Sequence, residues 1–254
     1  MSPCLISSGR DIKMETVAFI SCVNDQALYD QCCGHIHVLD KTGFHFEMCP
    51  VRNQHSMTAA YNAGMRKSAS KYKVYLHQDT FIRNVHFLRQ INNIFKSNPL
   101  VGMIGMMGGK HLNMNSNPLL VWNCPEKWGS IFNLGNNRIE QRYNPAGIFE
   151  PVDFIDGCIM VTQYDIPWRE DLFTGFHFYD LSQSIEFRKR GYLVVVPRQE
   201  TPWCAHISTS GAISPGYQRM RRTFVREYHQ FLVPPGSHQR KGIVKYQGKK
   251  YRVT

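Results

Sequence analysis

Residues 56–82 of the chain read SMTAAYNAGMRKSASKYKVYLHQDTFI, and this stretch decides the fold. Its first part, 56–70, is rich in Ala, Met and Asn, and its small residues would let a helix pack closely on a sheet. Its second part holds a short apolar strand, 73–76, that suits burial. His77, Gln78 and Asp79 follow that strand directly. Either they are ordinary surface residues at a strand end, or this strand end holds a metal ion.

The alternation of helix and strand continues on both sides of this stretch. Apolar patterns predict strands at 17–23, 44–51 and 101–107 and helices at 26–38 and 84–97. Asn24 and Asp25 provide an N-cap for the first of these helices, and Asn98-Pro99 ends the second. The order β-α-β-α-β-α-β predicts an α/β fold with a mainly parallel central sheet flanked by helices.

The rest of the chain is less regular. Residues 108–150 are rich in Gly, Asn and Pro, which predicts loops and short strands of the kind that shape a substrate pocket. Order returns at 152–161, and later patterns predict a helix at 178–190, a strand at 192–196, a helix at 216–232 and a small basic hairpin at 242–254. We therefore expect an N-terminal segment (1–15), an α/β domain (16–215) and a basic C-terminal extension (216–254).

Composition indicates a soluble globular protein, with 43% hydrophobic and 19% charged residues. Apolar runs stay well short of the roughly 20 residues that span a bilayer, and the N-terminus lacks the order of a signal peptide. The eight cysteines include no C-x-x-C pair, which disfavours a zinc ribbon and predicts free thiols in a reducing compartment. These features together predict a cytoplasmic protein.

The positive charge is concentrated in the C-terminal extension. Residues 219–254 hold ten Lys/Arg and one acid, and so carry +9 of the net charge of +11. The simplest interpretation is a solvated terminal segment that packs by its apolar face. It could also bind a charged partner or dock on an anionic membrane, which would place the protein at the inner membrane face. Nucleic-acid binding through the extension is the disfavoured alternative.

Polar residues collect where the predicted strands end. In parallel α/β sheets ligands bind beyond the carboxyl ends of the strands. The residues predicted at those ends are Asn24, Asp25, Arg52, Asn53, His77, Gln78 and Asp79. Asp79 could supply an oxygen ligand to Mg²⁺ or Mn²⁺, with His77 on the same side of an extended chain. The alternative is that Asp79 simply caps the next turn.

Two later positions could also carry chemistry. Asp180 closes the aromatic segment 174–180, TGFHFYD, where partial desolvation would raise its pKa towards that of a general base. The opposing possibility is that the dipole at the start of a helix lowers the pKa of Asp180. His206 follows Trp203-Cys204-Ala205 and is either a structural histidine or a metal ligand.

The order of these features along the chain resembles the layout of the GT-A glycosyltransferases. More narrowly, the chain is similar to the family-2-related "glycosyltransferase-like" group over about residues 16–210. The segments that carry this resemblance are VAFISCVND (17–25), residues 56–82, VDFIDGCIMV (152–161) and FTGFHFYDLSQSIEFRKRGYLVVVP (173–197). The last segment is the most specific of them. The resemblance implies a GT-A, Rossmann-like fold for 16–215.

The resemblance also implies roles for individual residues. In the donor site, the residues implied to contact or surround the nucleotide sugar are Val23, Asn24, Asp25, Arg52, Asn53, His77 and Gln78. Asp156 and Gly157 would line the sugar and acceptor pocket. Asp79 and His206 would bind Mn²⁺ or Mg²⁺, and Asp180 would be the catalytic base.

Two positions depart from the family pattern. His77 stands where the first acid of Asp-x-Asp is expected, and Tyr179 stands in place of the first acid of a Glu-Asp pair. The implied activity is an inverting, metal-dependent glycosyltransferase of the hexosyltransferase type, acting on a nucleotide-sugar donor and a glycan or other hydroxyl acceptor in glycan or polysaccharide assembly. Because of the two departures, a catalytically weak nucleotide-sugar-binding protein of the same fold is the alternative.

Overall fold

A computed structural model of the chain describes residues 14–112, 124, 126–207, 215–232, 242–246 and 249–253. The helices are α1 (Gln26–His37), α2 (Met57–Lys67), α3 (Phe87–Ser97), α4 (Tyr179–Lys189) and α5 (Pro215–Tyr228), with a 3-10 turn at His229–Phe231. The strands are β1 (Glu15–Val23), β2 (Phe44–Arg52), β3 (Tyr72–Leu76), β4 (Thr80–Ile82), β5 (Val101–Gly105), β6 (Met107–Gly109), β7 (Lys127–Asn133), β8 (Arg138–Gln141), β9 (Phe149–Val152), β10 (Phe154–Ile155), β11 (Ile159–Thr162), β12 (Leu193–Pro197), β13 (Cys204–His206), β14 (Gly242–Tyr246) and β15 (Lys249–Val253).

The central sheet has seven strands in the order β2-β1-β3-β11-β5-β12-β9. Strand β1 is parallel to β2 and β3, and β5 is parallel to β12, whereas β11 and β9 pair in the antiparallel sense. Five of the seven strands therefore point in one direction, as the β-α alternation predicts. Because β1, β2 and β3 are parallel, their carboxyl ends lie on the same side of the sheet. The candidate site forms at these strand ends.

Two apolar segments are each divided between the central sheet and a second one. The ordered segment 152–161 holds parts of three strands, because β9 ends at Val152, β10 is a separate two-residue strand and β11 begins at Ile159. Backbone bonds from Asp153 N to Gly109 O and from Asp156 N to Met107 O, both 2.8 Å, join this stretch to β6. The predicted strand 101–107 likewise separates into β5 and β6.

The second sheet has the order β10-β6-β7-β13-β4, with β8 paired to β7. Its strands β6, β7 and β8 come from the region predicted as loops and short strands. Strand β13 pairs antiparallel with β4, and His206 lies opposite Thr80 in this register. That pairing brings the end of β13 beside the polar turn that follows β3.

Helix α2 packs on the sheet at the distance that its small residues allow. Ser56 caps the helix by accepting a hydrogen bond from the Ala59 backbone N–H. A Cβ atom added at Gly64 would lie 2.3 Å from the Ile20 Cγ2 atom of β1, which is far inside van der Waals contact. Close approach of the helix to β1 therefore requires glycine at this position.

We expect Gly64→Ala to lower the free energy of unfolding by about 1–2 kcal/mol. Overpacking costs about 1–3 kcal/mol, and the better helix propensity of Ala returns at most about 1 kcal/mol. Gly34 in α1 is the matched control, because a Cβ there meets no atom within 4 Å. Gly34→Ala should therefore stabilise the protein by up to about 1 kcal/mol. Urea unfolding of both variants measures the difference, and equal effects would contradict the close packing of α2.

Helix α5 is held on α4 by buried side chains and ion pairs. Met220, Phe224 and Tyr228 are buried, and the Tyr228 hydroxyl lies 3.1 Å from a carboxylate oxygen of Glu186 on α4. Arg169, which precedes α4 in the chain, bridges the two helices, because it lies 3.5 Å from Glu186 of α4 and donates to Glu227 of α5 at 2.9 Å. The predicted helix at 216–232 is thus present as α5 and the following turn.

Strands β14 and β15 form the predicted antiparallel hairpin. Its side chains, the linker at 233–241 and residues 1–13 lie outside the described part of the chain. A membrane or nucleic-acid role for the basic extension therefore stays a prediction. Within the described ranges, the cysteines are free thiols, and none of the helices has the length and apolar character to cross a membrane.

Candidate active site

The polar residues after β3 form a tight turn. Strand β3 ends at Leu76, and the Thr80 N–H donates to the His77 carbonyl at 3.2 Å. The prediction that His77 and Asp79 lie along an extended chain is therefore wrong. The turn nevertheless brings the two side chains to the same place, with 4.0 Å between His77 Nδ1 and Asp79 Oδ1.

His206 joins this pair from β13. Its Nε2 atom lies 3.4 Å from Asp79 Oδ1 and 3.3 Å from His77 Nδ1. One ligand atom from each of the three residues can be chosen so that all lie within 4.8 Å of one another. All three side chains are partly exposed, so the cluster is open to a ligand.

The chemistry of this donor set determines which ion it fits. Two imidazole nitrogens and one carboxylate oxygen suit Mn²⁺ and other transition metals, whereas Mg²⁺ prefers an all-oxygen octahedron. The residues present therefore fit Mn²⁺ and fit Mg²⁺ less well. Sequence reasoning named Asp79 and His206 as metal ligands but placed His77 with the donor. The geometry adds His77 as a third candidate ligand.

Burial and neighbouring charges set the protonation of this cluster. Burial lowers the pKa of His77, and the adjacent His206 lowers it further. Burial also acts to lower the pKa of His206, but the Asp79 hydrogen bond and the Asp156 carboxylate outweigh it and raise that pKa. Burial acts to raise the pKa of Asp79, and the hydrogen bond from His206 reverses this effect. Asp79 is therefore ionised and His77 neutral near pH 7.

The donor-site residues predicted after β1 and β2 also meet at this edge. Gln78 accepts hydrogen bonds from the backbone N–H groups of Asn24 at 2.8 Å and Asp25 at 2.9 Å, and its amide donates to the Asn24 side chain. Asp25 caps α1 by accepting from the Leu28 N–H at 3.1 Å. The side chain of Gln78 is thus used to fix the turn after β1.

Strand pairing brings the remaining donor-site residues to the same place. Val23 lies opposite Arg52 in the β1–β2 register, and the Val23 side chain is buried. Arg52 donates to the Gln26 side chain at 2.7 Å. Asn53 follows with a left-handed backbone, at φ 59°. The structure therefore gathers these predicted residues beside the His77–Asp79 turn.

Asp180 lies in the first turn of α4, near Asp156. Its Oδ1 atom accepts from the Leu181 N–H at 2.9 Å, and the Gly157 backbone N–H also donates to its carboxylate. Burial raises the pKa of Asp180, and the Asp156 carboxylate raises it further, to about 7. Desolvation thus outweighs the backbone hydrogen bonds that act to lower this pKa, which is the direction expected for a general base.

The backbone just before Asp180 is strained. Phe178 caps α4 in the left-handed conformation, with φ 64°, although it is a bulky non-glycine residue. Such a conformation costs on the order of 1–3 kcal/mol and persists only where the surroundings impose it. The Phe178 side chain is buried beside Phe224. This packing holds the turn that leads into Tyr179 and Asp180 at the start of α4.

Tyr179 connects the start of α4, where Asp180 lies, with the cluster of His77, Asp79 and His206. Its hydroxyl is hydrogen-bonded to Nε2 of His77. A Cβ at Gly157 would lie 2.1 Å from the same hydroxyl oxygen, so glycine leaves room for it. Sequence reasoning gave Tyr179 no role. The available signal was that His77 and Tyr179 both depart from the family pattern, and the structure shows that these two residues contact each other.

The model of the Glycosyltransferase like family matches residues 18–228, which is most of the chain and includes α5. The chain belongs to this glycosyltransferase-like family. Curated protein sequences give no match to it.

Two solved structures show the fold of this glycosyltransferase-like protein. One is the mannosyltransferase PcManGT from Pyrobaculum calidifontis in complex with GDP-Man and Mn²⁺, with a TM-score of 0.51 and 13% identity over 92% of this chain and 70% of that one. The other is a mutant of Drosophila β-1,4-galactosyltransferase 7 in complex with manganese, UDP-Gal and xylobiose, with a TM-score of 0.51 and 13% identity over 82% of this chain and 80% of that one. These similarities confirm the predicted GT-A α/β fold.

Proposed function

We propose that this glycosyltransferase-like protein transfers a sugar from a nucleotide-sugar donor to an acceptor hydroxyl, in a Mn²⁺-dependent reaction that inverts the anomeric carbon. The observation that carries the proposal is the placement of Asp180, whose pKa is about 7, in one site with the candidate metal ligands His77, Asp79 and His206. The nucleotide sugars and manganese held by the two similar structures support the same donor chemistry.

One group of residues would bind the donor, and a second group would act on the acceptor. His77, Asp79 and His206 would hold the cation. When bound, the cation supplies positive charge to neutralise the diphosphate leaving group. Asn24, Asp25 and Arg52 would receive the nucleoside at the ends of β1 and β2.

Asp180 acts on the acceptor. A hydroxyl is a poor nucleophile near neutral pH, and a carboxylate with a pKa of about 7 can remove its proton during attack. The Asp156 carboxylate contributes by keeping the pKa of Asp180 high. A single base of this kind, acting without a covalent intermediate, gives inversion.

A screen of nucleotide sugars, each with and without Mn²⁺, tests the proposed function. Thermal shift identifies a donor that binds the folded protein, because such a ligand raises the midpoint of unfolding. Release of free sugar from that donor then reports slow hydrolysis in the absence of an acceptor. Mn²⁺-dependent binding together with hydrolysis supports an enzyme. Binding without any sugar release would favour the alternative of a nucleotide-sugar-binding protein.

The pKa of Asp180 predicts the pH dependence of transfer. Asp180 must be ionised to accept a proton, so we expect kcat/KM to fall about tenfold per pH unit below about pH 7 and to level off above it. Calorimetry at the same pH values, with Mn²⁺ at saturation, separates loss of the metal from loss of the base, because His206 must release the proton that its raised pKa favours before it can bind the metal. A rate that stays level down to about pH 5, as expected for an exposed aspartate, would contradict the base assignment.

A further inference from the structure

The contact between Tyr179 and His77 has no part in the chemistry assigned to Asp180. The Tyr179 ring is buried, with 5% of the residue exposed, and it packs against Tyr61, whose ring centroid is 5.9 Å away. Its hydroxyl is hydrogen-bonded to Nε2 of His77, while the other ring nitrogen, Nδ1, faces Asp79 and His206. A buried hydroxyl therefore holds the side of His77 that points away from the metal cluster.

The position of the His77 proton follows from which nitrogen faces the metal cluster. A histidine binds a metal through an unprotonated ring nitrogen, and the nitrogen of His77 that faces Asp79 and His206 is Nδ1. A neutral imidazole carries one proton, so a lone pair on Nδ1 leaves the proton on Nε2. The proton of His77 is then on Nε2 and is donated to the Tyr179 oxygen.

We propose that Tyr179 is a positioning residue that fixes His77 in the tautomer whose unprotonated Nδ1 faces the metal. This inference rests on the proposed function, because it gives one ligand of the proposed Mn²⁺ site its orientation. Groups that bind the distal nitrogen of a metal-ligating histidine set its tautomer and ring orientation and raise its basicity. In this protein the hydroxyl of Tyr179 is the group that binds the distal nitrogen, Nε2, of His77.

Gly157 leaves the space that the Tyr179 hydroxyl occupies beside His77. Its backbone approaches the Tyr179 hydroxyl so closely that a Cβ would lie 2.1 Å from the oxygen and 2.6 Å from the ring carbon Cζ. Any side chain at this position would displace the hydroxyl from His77. Gly157 therefore supports the metal site through Tyr179, in addition to the pocket-lining role that the sequence resemblance implies.

Tyr179→Phe tests the inference directly, because it removes only the hydroxyl oxygen. We expect the affinity of the full chain for Mn²⁺ alone to fall about ten- to hundredfold, the loss typical when such a partner is removed. The signal of free Mn²⁺ in electron paramagnetic resonance measures this affinity without donor or acceptor. Gly157→Ala, which moves the hydroxyl rather than deleting it, should weaken Mn²⁺ binding in the same direction.

Tyr61→Phe is the matched control. Tyr61 belongs to the same aromatic cluster and is fully buried, and its hydroxyl has no hydrogen-bond partner among the described residues. Removing that hydroxyl should leave Mn²⁺ affinity unchanged. A Tyr61→Phe variant that loses as much affinity as Tyr179→Phe would assign the loss to packing and overturn the positioning role.

The tautomer of His77 distinguishes loss of the hydrogen bond from a packing defect, because a packing defect alone would not change which ring nitrogen carries the proton. Two-bond ¹H–¹⁵N spectra of the metal-free protein, with the His77 signals assigned by a His77→Gln variant, should show the proton on Nε2 in the wild type and on both nitrogens in Tyr179→Phe. If the wild type binds Mn²⁺ but Tyr179→Phe keeps its affinity and tautomer, the inference alone is overturned. If the wild type binds no Mn²⁺, the proposed metal site and the inference are overturned together.

Discussion

Replacing Asp180 by Asn is expected to lower the rate of sugar transfer about a thousandfold while donor and Mn²⁺ affinities stay within about twofold of the wild type. The amide has nearly the same shape as the carboxylate but cannot accept the acceptor proton, and general bases contribute about 10²–10⁴ in rate. Transfer is measured with the donor found in the screen, and donor affinity by calorimetry. Turnover that survives unchanged would remove Asp180 from the role of base.

The stability of the same variant separates loss of the base from loss of the fold. Burial and Asp156 raise the pKa of Asp180 above its ordinary value, so the folded state resists ionisation of this group. The wild type therefore loses stability as pH rises from the ordinary aspartate range, about 4, to about 7. Above that range Asn carries no such penalty. Asp180→Asn should thus melt at a higher temperature than the wild type at pH 8, although it is inactive.

The central sheet could be predicted because its determinants are local. Apolar runs such as 17–23 and 73–76, separated by helical patterns, indicate parallel strands that are joined by helical crossovers. The division of 152–161 could not be predicted in this way. It depends on backbone bonds to Gly109 and Met107, and these partners lie more than 40 residues earlier in the chain. An apolar run alone does not tell which of two sheets its residues join.

The candidate site shows the same limit at the level of single residues. Asp79 and Asp180 could be located from their place after a strand and before a helix. The approach of His206 to Asp79 depends on the antiparallel pairing of β13 with β4, which has no local signature. The raised pKa of Asp180 depends first on burial of its carboxyl group and then on Asp156, which comes from a different loop.

His77 and Tyr179 illustrate why departures from a family pattern are best considered together. Each substitution alone suggests a weakened site, because an acid is missing. In the fold, the histidine and the tyrosine are hydrogen-bonded to each other. In the proposed metal site, the imidazole of His77 stands in for a carboxylate ligand, and the hydroxyl of Tyr179 is the partner of its second nitrogen. The pair is consistent with a modified metal site rather than a lost one.

Asp79→Ala is the second substitution for which we expect a large effect. Asp79 is the only anionic member of the proposed ligand set, so its removal leaves two imidazoles to hold a dication. We expect Mn²⁺ affinity to fall by more than about a hundredfold. This loss exceeds the one expected for Tyr179→Phe, because Asp79 is a proposed ligand itself and Tyr179 only binds a ligand. Donor affinity in the presence of Mn²⁺ should fall to the value measured without metal, whereas Asp180→Asn keeps the metal dependence.

Asp40→Ala is the control for the loss of a carboxylate. Asp40 follows the C-terminal end of α1, near the start of β2 and so at the opposite end of the strands from the candidate site. Its Oδ2 atom lies 3.6 Å from His86 Nδ1 and 3.9 Å from Arg89 Nη1. Its removal should leave metal and donor binding unchanged. Calorimetry of the donor with Mn²⁺, with Mg²⁺ and without metal measures the effect in all three proteins. Because the wild-type set contains two nitrogens, Mn²⁺ should promote donor binding more than Mg²⁺ does. Undiminished Mn²⁺-dependent affinity in Asp79→Ala would place the metal elsewhere.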